Sequence, residues 1–253
     1  NTRVGVSMQY VGREPRFYAS VAYNGSTWYL LNEPNDANKD KQIFYYRGGG
    51  NGYTNTMFWL RTGIGVMKFV HPDDTNRDEK EEYIRKKAEP AIRYAEILLI
   101  YAEALNELTG NYNIASWDEE TQYTIQRNID EMKKGIQPIR IRAGIPDYTR
   151  SEYEDQDLFR EKLKRERQIE LMGEGHRYYD IRRWKDAEVE ESLPIYGCNT
   201  LMTEKWRDVF HVPVAIPSLP TNFSRKMYFW PISHSELKRN KMLTQNPGWT
   251  YND

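Results

Sequence analysis

RERQIELMGEGHRYYDIRRW, residues Arg165–Trp184, is the stretch on which the fold of this chain turns. It places a charged helix, a Gly-x-Gly break and an aromatic-plus-arginine helix in one order. Asp155 or Asp157 can open the first helix, because a short acidic side chain accepts hydrogen bonds from the free N–H groups of a first turn. That helix runs to about Met172. Gly173 and Gly175 break it, since glycine enters the left-handed conformation that ends helices without steric cost, and His176 to Trp184 forms one more. Nine Lys and Arg lie between Arg160 and Lys185, but Glu161, Glu166, Glu170, Glu174 and Asp180 are interleaved with them. The charges therefore read as paired on a solvated scaffold, with Glu161 and Arg165 at a favourable i,i+4 spacing. Tyr178, Ile181 and Trp184 read as core and not as a platform for stacking bases.

Working outward, AIRYAEILLIYAEALNELTG after Pro90 puts Ile92, Ala95, Leu99 and Ala102 on one stripe, and Ile97 to Ala102 is apolar nearly all the way round. A helix buried on most sides is expected, ending at Thr109-Gly110-Asn111. A second helical stretch, about Glu119 to Lys134, is expected to end at Gly135, with Pro138 opening a short helix that Ile145-Pro146 stops. Residues 187 to 224 have no clear period. Met227 to Trp230 reads as strand, Ser233-x-x-Glu236 as the cap of a short helix to Asn240, and Asn246-Pro247-Gly248 as a turn. The first third is different. Phe17, Ala19, Val21 and Tyr23 alternate before Asn24-Gly25, which predicts a β-hairpin over residues 16 to 31. RGGGNGYTNT from Arg47 is loop, Met57 to Val70 is extended and broken by two glycines, and Asp73 to Lys87 is an exposed, charged linker.

Composition narrows the function. With 36 Lys+Arg against 37 Asp+Glu the net charge is −1, so no whole-chain field attracts nucleic acid or an anionic membrane. Cys198 is the one cysteine and can form no internal disulfide, and the four histidines share no ligand-like spacing with it, so no metal site is expected. No apolar run is long enough to span a bilayer. Gly48-Gly49-Gly50-Asn51-Gly52 lacks the Gly-Lys-Ser/Thr of a phosphate loop, no Gly-x-Ser-x-Gly elbow occurs, and nothing pairs Cys198 with a histidine in a motif. No catalytic residue and no cofactor is assigned.

Several segments, in order, carry a resemblance. Glu14-Pro15-Arg16-Phe17-Tyr18 with Asn24-Gly25 and Trp28-Tyr29, RYAEILLIYAEALNEL at 93 to 108, IRIRAGIP at 139 to 146, the stretch at 165 to 184, YFWPISHSEL at 228 to 237 and LTQNPGW at 243 to 249 together resemble the SusD/RagB family of outer-membrane nutrient-binding lipoproteins. Glu14 stands where the family has Asp. The resemblance implies a mainly α fold, an α-α superhelix of tetratricopeptide-like helices with a few short β-strands and long loops. It covers what is the C-terminal portion of such a protein, with residues 1 to 72 as a strand-and-loop lobe and 89 to 253 as the mainly helical part. It further implies an N-terminal lipidated region outside this sequence, surface exposure at the outer membrane through that lipid anchor, and a SusC-like TonB-dependent transporter as partner. Cys198 is not the anchor.

Two sets of residues invite chemistry. Glu96, Glu103 and Asn106 sit on an otherwise apolar helix, with Arg140, Arg142, Arg165 and Arg167 on neighbouring ones, and buried charges need partners. They read as ion pairs that fix helix register, in preference to catalytic carboxylates. Trp28, Tyr29, Tyr45, Tyr46, Arg47, Tyr53 and Trp59, among asparagines, are the ligand-binding candidates: a ring accepts the C–H face of a pyranose, while amide and guanidinium donors meet its hydroxyls. The expected function is non-enzymatic glycan or oligosaccharide binding for delivery to the transporter. A peptide ligand, a glycoside hydrolase with two carboxylates and a pure interaction scaffold are the alternatives.

Overall fold

The computed structural model describes residues 7–27, 41–77, 81–203, 207–217 and 221–250. Helices dominate. Helix α2 (Tyr94–Asn106) packs on α3 (Ile129–Arg142) and α5 (Gln156–Glu170), and α4 (Arg150–Glu154) packs on both α3 and α5. Tyr101 Oη donates to Glu131 (2.7 Å), while Ala95 and Leu98 share a groove with Pro138 and Ile139, so α2 and α3 run antiparallel. The core between them holds Leu99, Ala102, Met132, Ile136, Tyr153, Phe159 and Leu163, all essentially inaccessible to solvent.

Helix α2 buries one face and not most of its surface. Ala95, Leu99, Ala102 and Leu105 point inward at helical spacing, whereas Ile97, Ile100 and Tyr101 remain exposed. Helix α3 also departs from expectation, because it passes through both Gly135 and Pro138. A Cβ at Gly135 would lie 2.4 Å from the Leu98 carbonyl oxygen and 2.8 Å from Ala102 Cβ. Glycine is there for close approach, not for termination. Residues 112–125 contain an antiparallel hairpin, β5 (Tyr112–Ala115) with β6 (Gln122–Ile125), in place of the first turns of the expected helix. Neither strand buries a residue, so it carries no alternation to read.

The expected cap and glycine breaks around the opening stretch hold, while Tyr178 and Trp184, read as core, are only partly buried. Asp155 Oδ1 accepts from Leu158 N (3.0 Å) and caps α5. Gly173 and Gly175 have φ of 80° and 83°, and α6 (His176–Arg183) follows. Further on lie α7 (Ala187–Glu190), α8 (Arg207–Phe210), the short pair β7 (Tyr196–Gly197) with β8 (Val214–Ala215), and α9 (His234–Arg239), capped by Ser233 as read. Residues 225–228 form a 3-10 turn and not a strand.

The 16–31 hairpin is corrected as well. Pro15–Ser20 is helix α1, opened by proline at its first position, and β1 (Val21–Tyr23) pairs with the distant β2 (Ile64–Val66). Asn24-Gly25 does turn the chain, with Gly25 at φ 87°, but the returning partner is Ile43, whose N–H donates to the Ser26 carbonyl (2.8 Å). The region read as a linker contains a short hairpin, β3 (Thr75–Arg77) with β4 (Glu81–Tyr83). A second core gathers Ala22, Ile43, Tyr45, Tyr46, Cys198 and Phe210, so this cluster draws on both halves of the sequence.

Ion pairs fasten the two parts together. Arg16 on α1 reaches Glu166 (2.7 Å) and Glu170 (3.2 Å) on α5, and Arg140 meets Glu166 from the other side (2.6 Å). Arg93 and Arg142 also bind Glu170 (3.0 and 2.5 Å), and Lys68, just beyond β2, binds Glu174 (2.5 Å). Of the acids of α2, Glu96 meets one of the expected arginines, Arg167, and Glu103 meets none of them. Glu96 faces Arg167 (3.7 Å) and His176 (3.4 Å), Glu103 accepts from Arg183 and from Trp184 Nε1 (2.7 Å), and Asn106 Oδ1 accepts from Arg127 (3.0 Å). Arg165 meets no carboxylate among the described residues. The i,i+4 contact with Glu161 is not made, because Glu161 turns to Lys164 (3.5 Å).

Burial pushes the carboxyls of Glu103, Glu170 and Glu174 up, but their arginine, lysine and indole partners outweigh it and hold all three below the ordinary value of 4.5. A depressed carboxylate stabilises the fold fully above its unfolded pKa, and that contribution is lost as pH falls through the folded value. His211 is lowered by burial from 6.5. It binds protons more readily unfolded, which costs stability as pH falls below 6.5. Thermal melts are therefore expected to show Tm declining modestly from pH 7 to 5 and steeply below about 4.5. A Tm that rises on acidification would contradict these pairings.

Candidate functional site

The ligand candidates lie on the loop that leaves the second core and returns to β2. Its base is rigid. Tyr45 and Tyr46, at 9% and 8% exposure, are core residues. Tyr45 N–H donates to Asn24 Oδ1 (2.8 Å), and the Tyr46 ring meets Phe210 edge-on, with centroids 6.4 Å apart. Burial raises the Tyr45 phenol pKa. These two rings lie beneath the loop and offer it support in place of an open stacking face, which corrects the expectation that they bind ligand directly. Trp28 and Tyr29 lie outside the described residues.

Above that base the glycine-rich segment folds back on the chain that feeds it. Gly49 N–H donates to the Tyr46 carbonyl (2.9 Å) and Asn51 N–H to that of Phe44 (3.0 Å). A Cβ at Gly52 would fall 1.9 Å from the Tyr46 carbonyl oxygen, so the glycine serves this close approach. Arg47 is fixed at its backbone, where its N–H donates to the Met202 carbonyl (2.8 Å). Asn55 Oδ1 then accepts from Met57 and Phe58 N–H (2.8 and 3.0 Å), and Thr54 Oγ1 donates to the Phe58 carbonyl (3.0 Å). That local closure is the side-chain-to-backbone turn for which asparagine is suited.

Its result is a corner of two half-buried rings. Tyr53 and Trp59 meet at 80° with centroids 5.5 Å apart. The Arg47 guanidinium lies 5.3 Å from the Tyr53 centroid, and that of Arg61 lies 5.9 Å from the Trp59 centroid. Two flat apolar surfaces bounded by two multi-donor cations can hold a ligand with an apolar face and a polar rim. Arg61 is absent from the residues singled out by sequence. Its position two residues after Trp59, on the approach to β2, is the signal that could have found it.

Other candidate chemistry is thinner. Cys198 Sγ lies 3.9 Å from His211 Nδ1 and 3.7 Å from Tyr10 Oη, but burial raises the thiol pKa and keeps it protonated. No cluster of metal-ligating side chains occurs among the described residues. No helix described is long and apolar enough to cross a membrane. A cleft of about 320 Å³ beside α6 is lined by Tyr178, Phe229, Trp230 and Trp249. Trp249 Nε1 there donates to the Phe229 carbonyl (2.9 Å), Arg182 lies over the Tyr178 ring at 3.5 Å, and Arg182 Nε is buried without a hydrogen-bond partner among the described residues.

The comparisons agree with this architecture. The model of the SusD family matches residues 2–249. SusD-like protein P2 of Formosa agariphila is 31% identical over 162 residues, which is 62% of this chain and 25% of that protein. Among solved structures, selenomethionine BT4246 superposes with a TM-score of 0.81 at 24% identity, covering 98% of this chain and 40% of that one. A SusD-like protein from Bacteroides fragilis, BF3747, superposes at 0.66 with 27% identity over 95% of this chain and 40% of its own. The chain thus spans a quarter of the curated relative's length and two fifths of the solved ones. A family match that begins at residue 2 and ends at residue 249, on a helix-dominated fold shared with those structures, leaves one assignment: the chain belongs to the SusD family.

Proposed function

We propose that this chain is the ligand-bearing part of a non-enzymatic, surface-exposed glycan-binding protein that passes oligosaccharides to a SusC-like TonB-dependent transporter, lipid-anchored to the outer membrane through a region outside this sequence. Tyr53, Trp59 and Arg47 contact the sugar, as do Trp28 and Tyr29, with Arg61 beside the rings and Tyr45 and Tyr46 holding the loop from below. The observation that carries this reading is the Tyr53–Trp59 corner, held open at 80° by the Asn55 turn. Two rings at such an angle can meet two faces of a bent saccharide, and the bordering guanidinium groups supply donors where hydroxyls would lie.

Affinity electrophoresis against a polysaccharide panel, with reducing-end release measured in parallel, tests it. Retardation by at least one glycan without release of ends is the expected result. Trp59→Ala is expected to weaken that retardation roughly tenfold, equivalent to about 1.4 kcal/mol, with Tm shifted by no more than a few degrees because the ring is half exposed. Release of reducing ends would replace the reading with a hydrolase. Binding of peptides and of no glycan would replace it with a peptide carrier, and co-purification with a β-barrel without any ligand would favour a scaffold.

A further inference from the structure

Charge around the aromatic corner is one-sided. Between Lys41 and Pro72 the sequence contains no Asp or Glu, although acids outnumber bases in the whole chain. Several cations elsewhere are matched, although Arg165 on α5 meets no carboxylate among the described residues. Along α5, Arg160 meets Glu107 (2.7 Å), Lys162 meets Glu152 (2.8 Å), Lys164 meets Asp186 (2.8 Å) and Arg167 meets Asp180 (2.7 Å). Within the acid-free segment, Lys68 is taken up by Glu174. Arg47 and Arg61 have no carboxylate partner among the described residues, and they are the two cations that border the Tyr53 and Trp59 rings.

A neutral sugar does not require this arrangement. Its hydroxyls are served by amides and hydroxyl groups, which the loop has in Asn51, Thr54, Asn55 and Thr56. Two guanidinium groups without a carboxylate partner among the described residues are suited to oxyanions, which they bind through paired N–H donors while the aliphatic parts of the same side chains lie along the rings. We infer that the glycan taken by this loop is anionic, with a sulfate ester or a uronate carboxylate placed between Arg47 and Arg61 while its sugar ring stacks in the Tyr53–Trp59 corner. This rests on the glycan-binding reading of the same loop.

Matched polysaccharide pairs test it: a sulfated galactan against its desulfated form, and polygalacturonate against its methyl-esterified form, with poly-aspartate as a polyanion that has no sugar. The chain is expected to bind at least one charged member about tenfold more tightly than its neutral counterpart, the scale of a charge-assisted hydrogen bond. Which pair shows the preference identifies sulfate or carboxylate as the anion. Arg47→Ala and Arg61→Ala are each expected to remove most of the preference, whereas Arg150→Ala, on an exposed pair far along the helical part, leaves it intact. Equal retardation by charged and neutral members overturns the inference and leaves the glycan role standing. So does a preference undiminished in the Arg47→Ala/Arg61→Ala double variant. Equal binding of poly-aspartate overturns it as charge attraction without sugar recognition. Retardation by none of the polysaccharides overturns the glycan role and this inference together.

Discussion

Glu166→Ala is expected to destabilise the protein by about 3–5 kcal/mol, the usual cost of leaving buried charges without their partner, and so to lower Tm by roughly 10 °C in a chain of this size. Glu166 is 2% exposed. Its carboxylate accepts from Arg16 (2.7 Å), Arg140 (2.6 Å) and Tyr148 Oη (3.1 Å), which belong to α1, to α3 and to the loop after α3. Removing it takes a carboxylate partner from two guanidinium groups that are each only 13% exposed. Arg16 retains Glu14 and Glu170, and Arg140 retains the Pro146 carbonyl and the Tyr148 ring at 3.8 Å. Those contacts keep the cost from rising further. Glu166→Gln keeps the shape and one acceptor oxygen and should lose about half as much. Glu154→Ala breaks a pair whose members are 55% and 78% exposed, and should cost no more than about 0.5 kcal/mol. If thermal melts place Glu166→Ala beside Glu154→Ala, Glu166 does not tie α1 to the helical core.

That tie also explains why some of the fold was legible in the sequence and some was not. Signals that act within one turn were readable. Asp155 caps α5, Gly173 and Gly175 stop it, and Ser233 opens α9, because each satisfies or frees backbone groups beside it. Where a distant partner decides, local pattern misleads. Phe17, Ala19, Val21 and Tyr23 alternate like a strand, yet Pro15 starts a helix whose Arg16 is bound by acids about 150 residues away. Gly135 and Pro138 read as punctuation and are interior to α3. Glu96 of α2 does face Arg167, one of the arginines marked in sequence, but Glu103 accepts from Arg183 and Trp184, which spacing alone could not select.

The same division runs through the candidate site. Residue types were legible, since rings among asparagines and arginine mark the loop whatever its shape. Placement was not. Tyr45 and Tyr46 pack against Cys198 and Phe210, far along the chain, so a local reading had no means of separating them from Tyr53 and Trp59. The turn between those two is closed by Asn55 and Thr54, which look in sequence like any polar loop. Charge was legible but unread: the acid-free run from Lys41 to Pro72 needs no structure to see, and it gains meaning only once Arg47 and Arg61 are found at the rings.

The crossing of α2 and α3 sets the second large effect. Gly135→Val is expected to cost about 3 kcal/mol or more, the upper range for overpacking, because the first added carbon would lie 2.4 Å from the Leu98 carbonyl oxygen and 3.1 Å from Ala102 N. Both are backbone atoms of α2 and cannot rotate aside, so the helices must separate and loosen the Leu99, Ala102, Met132 and Ile136 layer. Gly135→Ala sets two effects against each other. Alanine gains about 1 kcal/mol of helix propensity, while the methyl meets the same carbonyl at a cost of about 1–3 kcal/mol. The clash should win, for a net loss of about 1 kcal/mol, against almost no change for Gly110→Ala, where no atom lies within 4 Å of the added carbon. Adding Ala102→Gly to Gly135→Ala relieves the 2.8 Å contact but leaves the carbonyl in place, so the double variant should recover only part of the loss, and the coupling can be measured as a double-mutant cycle. Glycan retardation per folded molecule should be unaffected in all of these variants, because the Tyr53–Trp59 corner rests on the other core. Urea unfolding that finds Gly135→Val as stable as the parent chain would mean that the two helices do not meet backbone to backbone at this glycine.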